Sequence, residues 1–67
     1  MNESKLKLFY TTAKSVMSNY KGRKIETLKK LQEALLDVAV ECSMSNPQIA
    51  DDLDKWSDEL YEYTYNK

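Results

Sequence analysis

Residues 23–43, RKIETLKKLQEALLDVAVECS, decide the fold. Placed at about 100° per residue, Ile25, Leu28, Leu31, Ala34, Leu35, Leu36, Val38, Ala39, Val40 and Cys42 cover about 240° of a helical wheel. Only a narrow polar strip of Glu26, Lys30, Glu33, Asp37 and Glu41 remains. A helix this apolar needs cover on several sides, which two neighbouring helices supply in a bundle. Leu36 and Val40 fall at the edge of the apolar arc. They are therefore the residues expected to stay uncovered by the chain itself and to meet another copy, in a homo-oligomer, or a partner.

Outward from this segment, the single glycine and single proline divide the chain into three. Gly22 follows a stretch in which Leu6, Phe9, Tyr10, Ala13, Val16, Met17 and Tyr20 occupy an arc of roughly 120°, one clean amphipathic face. Gly22 is placed to take the left-handed conformation that ends a helix. Pro47 opens the third segment, where Ile49, Leu53, Trp56, Leu60 and Tyr63 recur at 4-3-4-3 spacing. Asn46 before Pro47, or Ser45 with Gln48, supplies the start signal. Tyr61, Tyr63 and Tyr65 alternate as in a strand, but a lone strand has nothing to pair with, so a helix that frays near its end is the better reading. The expectation is an all-α protein with helices at about 4–20, 23–43 and 47–63. It forms one domain over 1–67: a three-helix bundle, or a helical hairpin with a third helix, that self-associates.

Composition bounds what such a protein does. With 67 residues and one cysteine there is neither a large core nor an internal disulfide, so support from a partner or a second copy is expected. No apolar run near the start reads as a secretory signal or a membrane span, which makes the cytosol the default location. Nine Lys to one Arg, with five Tyr and four Asn, is the usage of AT-rich coding, as in phage or plasmid genes. The chain lacks histidine, the commonest general base and metal ligand. One glycine cannot build a phosphate-cradling loop. Cys42 falls on the apolar face near the end of the second helix, where burial and the helix dipole both disfavour a thiolate, so it reads as core. Asp51, Asp52, Asp54 and Asp58 follow helical spacing rather than the alternation of a calcium loop. The inventory points to a non-catalytic protein with no metal and no cofactor.

Charge is divided unevenly along the chain. Residues 1–30 hold eight cations against two acids, a balance of +6, whereas residues 31–67 hold two cations against nine acids, a balance of −7. Two binding surfaces follow. On the third helix Tyr61 and Tyr65 stand one turn apart on a flank of the core stripe, beside Asp54, Asp58 and Glu62. Tyrosine offers contact area and a polar tip at low entropic cost, so this group reads as a docking surface for another protein. That makes the protein a small regulator, inhibitor or adaptor. The competing reading is a phosphate-ligand binder for RNA or a small nucleotide, using Lys21, Arg23, Lys24, Lys29 and Lys30 around the first turn. Against it stand a single arginine and an overall charge of −1. A helix-turn-helix reading fails, because its recognition helix would present Asp58, Glu59 and Glu62 to phosphates.

Overall fold

The computed structural model describes residues 3–65 and consists of three α-helices: α1 (Glu3–Met17), α2 (Ile25–Cys42) and α3 (Pro47–Tyr65). A short 3-10 turn, Tyr20–Gly22, lies between α1 and α2. The protein is an all-α three-helix bundle, with no strand among the described residues. Positions 1, 2, 66 and 67, the ends of the single-domain span, lie outside them, as does Lys67 of the charge balance.

The helices lie up, down, up. Gln32 meets Ser57 and Lys29 meets Tyr65, so α2 and α3 are antiparallel. Tyr10 meets Asp52 and Trp56, and Tyr20 meets Tyr63, so α1 runs parallel to α3. At 34 × 17 × 15 Å the bundle is one helix long and two helices across.

The closest packing belongs to α2 and α3, whose backbones approach within 8 Å along the seam, while α1 stands further off. Small side chains explain the difference. Ala50, Ser57 and Thr64 recur every seven residues on α3, all buried, and interleave with the buried Leu53 and Leu60. On α2 the buried residues are Leu28, Leu35, Val38, Ala39 and Cys42, and Gln32 meets Ser57 across the seam. This is the 3-4 spacing of a coiled-coil seam, with small residues letting the helix axes close up. Ser57 is 1% exposed yet satisfied: Gln32 Nε2 donates to its Oγ at 3.0 Å, and that Oγ donates to the Gln32 carbonyl at 3.3 Å. No buried side-chain nitrogen or oxygen among the described residues lacks a partner.

Ile49, Trp56 and Tyr63 flank Leu53 and Leu60 on the same face of α3, half-buried against the core. The apolar stripe read along α3 meets α1 along one edge, at Trp56 and Tyr63, and α2 beyond the other, at Ser57. Tyr10 lies against Trp56 with ring centroids 5.2 Å apart and donates its hydroxyl proton to Asp52 Oδ2 at 2.7 Å. That hydrogen bond raises the Tyr10 pKa above its ordinary 10.0, with help from desolvation and from the Asp52 charge.

The helix ends differ from the sequence expectation in instructive ways. α1 stops at Met17 rather than Tyr20, where Ser18 turns its hydroxyl back onto the Ser15 carbonyl at 2.6 Å. The chain then tightens into the 3-10 turn, which sets Tyr20 edge-on against Tyr63 at 5.1 Å. Gly22 does not adopt a left-handed conformation, since no described residue has positive φ. The reversal is made instead by extended backbone at Arg23 (φ −101°, ψ 161°) and Lys24 (φ −64°, ψ 139°). α2 ends at Cys42, whose carbonyl accepts from the Asn46 amide at 2.8 Å. Pro47 then occupies the first helical position of α3, where its missing N–H costs nothing. α3 continues to Tyr65, so the alternating tyrosines are helical.

Candidate functional site

With α1 packed on one side of the α2/α3 hairpin, the opposite side stays open. Between the C-terminal half of α2 and the N-terminal half of α3 lies an open groove of about 280 Å³, lined by Leu36, Ala39, Val40, Ser43, Ala50, Asp51 and Asp54. Ala39 and Ala50, both buried, form its floor. Leu36, 44% exposed, and Val40, 70% exposed, form the α2 wall. Asp51 and Asp54 are exposed on the α3 wall.

Helical spacing extends this face along the hairpin. On α3, positions 51, 54, 58, 61 and 65 recur at 3-4-3-4 intervals and form a single stripe. On α2, positions 29, 33, 36, 40 and 43 do the same at 4-3-4-3 intervals. At the far end Tyr61 and Tyr65, each about half exposed, lean together with centroids 4.6 Å apart at 31°. The Lys29 ammonium lies 4.5 Å above the Tyr65 ring, a cation–π contact that joins the two helices across the seam.

The two surfaces expected from the sequence are therefore one. Leu36 and Val40, read as an oligomer contact, line the same groove as Asp54, read as part of a docking surface. Asp58, Tyr61 and Tyr65 continue along its stripe. Glu62, eleven residues after Asp51, falls about 20° from Asp51 round the helix and stands at the outer edge of the stripe. Sequence reasoning missed Ala39, Ser43, Ala50 and Asp51. The 3-4-3-4 recurrence from Asp51 to Tyr65 was the signal available for Asp51.

Lys21, Arg23 and Lys24 share the connection between α1 and α2, and Lys29 and Lys30 follow on α2. The Arg23 Nε donates to Asn19 Oδ1 at 3.1 Å, and Lys29 belongs to the tyrosine pair. Lys21 contributes its carbonyl to the Tyr63 hydroxyl at 3.1 Å, while Lys24 occupies the position before α2. Lys30 points about 100° away from Lys29. Cys42 is buried, with its Sγ 3.9 Å from the Ala39 carbonyl. Among the described residues no group of three His, Cys, Asp or Glu side chains converges as metal ligands would. Among the described residues no helix is long and apolar enough to cross a membrane. Comparison with models of protein families, with curated proteins and with solved structures finds no match to this chain.

Proposed function

We propose that the protein is a small, non-catalytic binding protein, acting in the cytosol as a regulator, inhibitor or adaptor. It docks on another protein through the side of the α2/α3 hairpin that α1 leaves open. The observation that carries this reading is the continuity of that side. An exposed pair of stacked tyrosines, two exposed aliphatic side chains and a row of carboxylates share one surface about four helical turns long. Aromatic anchors beside apolar contacts, rimmed by polar groups, have the anatomy of a protein interface. The missing histidine and the helical placement of the aspartates support a role without catalysis.

Reversal of Asp58 and Glu62 to Lys tests this role. The variant should lose capture of the partner taken up by the tagged wild-type chain, with its helical circular dichroism unchanged. Equal capture by both chains removes the α3 face from the proposal.

A further inference from the structure

We infer that the groove between α2 and α3 receives a cationic amphipathic helix of a partner protein, laid along the hairpin as a fourth helix. This rests on the docking role proposed above and names the chemistry of the partner. The shape fits: Ala39 and Ala50 keep the floor low enough for a helix to settle between two others, and Leu36 and Val40, one turn apart, offer a ridge for its apolar residues. Charge selects the occupant. The two stripes carry four carboxylates, Glu33, Asp51, Asp54 and Asp58, against the single ammonium of Lys29, which is already placed over Tyr65. Lysines and arginines flanking the apolar stripe of an incoming helix meet those carboxylates, and the exposed faces of Tyr61 and Tyr65 accept a further cation as Tyr65 accepts Lys29.

A second copy is a poorer occupant in either orientation. Two such faces brought together oppose three net negative charges with three more. The outer side of α1, though flanked by Lys7 and Lys14, offers Leu8 as its one exposed large apolar residue, beside Thr11, Thr12 and Ser15.

The test uses the full chain and three dye-labelled synthetic helical peptides of about 18 residues, long enough to span the face. One has a leucine stripe flanked by lysines. The second has the same stripe flanked by glutamates, and the third has the lysines with serine in place of leucine. Fluorescence anisotropy should show binding of the Leu/Lys peptide alone, weakening as salt is raised. Val40→Glu and Asp54→Lys, both at exposed positions, should each weaken it by about tenfold or more with the far-ultraviolet spectrum unchanged. Equal affinity for these variants, equal binding of all three peptides, or no binding overturns the groove assignment. Loss of binding in Asp58→Lys with Tyr61→Ala but not in Val40→Glu also overturns it, while leaving the α3 docking face standing. A homodimer in sedimentation that Val40→Glu dissociates means that a second copy fills the groove, and the inference falls.

Discussion

At the scale of single residues, two polar side chains set how the helices meet. The Tyr10 hydroxyl, bonded to Asp52, ties α1 to α3, and its proton is held more tightly in the folded chain than in the unfolded one. A raised folded-state value means that the stabilisation is complete below about pH 10 and is lost as pH climbs through the folded value. The advantage of wild type over Tyr10→Phe in urea denaturation should therefore shrink as pH rises above about 10. A difference that stays constant as pH rises denies the bond. Ser57 sits where α2 and α3 are closest, so Ser57→Leu should overpack the seam and cost about 1–3 kcal/mol, read as a lower denaturation midpoint. Gly22 carries the opposite expectation. Its φ is not positive and nothing lies within 4 Å of an added Cβ, so Gly22→Ala should leave the melting temperature unchanged or slightly higher.

At the scale of helices, the stability of the bundle is concentrated in the hairpin. α2 and α3 share a buried seam of Leu28, Leu35, Leu53 and Leu60, all fully enclosed, whereas α1 contributes Leu6 and Ala13 and otherwise half-buried aromatic and aliphatic side chains. Native-state hydrogen exchange should accordingly be slowest at the centres of α2 and α3 and faster throughout α1. Leu53→Ala should cost about 2–5 kcal/mol, comparable to the whole stability of a domain this small, and leave the chain largely unfolded by circular dichroism. The same truncation at half-exposed Leu36 should cost far less. That contrast separates the leucines that build the bundle from the one that lines its groove.

At the scale of the whole molecule, folding rearranges the charge split of the chain. Because α1 runs parallel to α3, Lys5 and Lys7 go to the same end as Asp51, Asp52 and Asp54. The first turn, with Lys21, Arg23 and Lys24, lies by the C-terminal part of α3, where the Tyr63 hydroxyl reaches the Lys21 carbonyl. The linear division thus becomes an acidic open face on a bundle whose other surfaces are mixed. Salt should act in opposite directions on the two contacts open to this face. Screening weakens capture of a cationic helix, while it relieves the repulsion that holds two copies apart. Sedimentation at about 0.05 M and about 0.5 M salt should show a monomer at the first, with any dimer confined to the second.

Three helices, their approximate ends and the inward leucines were legible in the sequence, because helical periodicity and the breaks at residues 22 and 47 are local properties of the chain. The exposed edge formed by Leu36 and Val40 was legible for the same reason. The close seam was not. Ala50, Ser57 and Thr64 are small or polar, so they weigh little in an apolar pattern and are buried by the shape of the neighbouring helix rather than by their own hydrophobicity. The turn at Gly22 goes with the packing of Tyr20 on Tyr63, a contact between residues 43 positions apart. The groove, too, is a tertiary product: only the antiparallel closure of α2 on α3 sets Asp54 beside Leu36, and no periodicity within one helix records which residues a second helix will bring alongside.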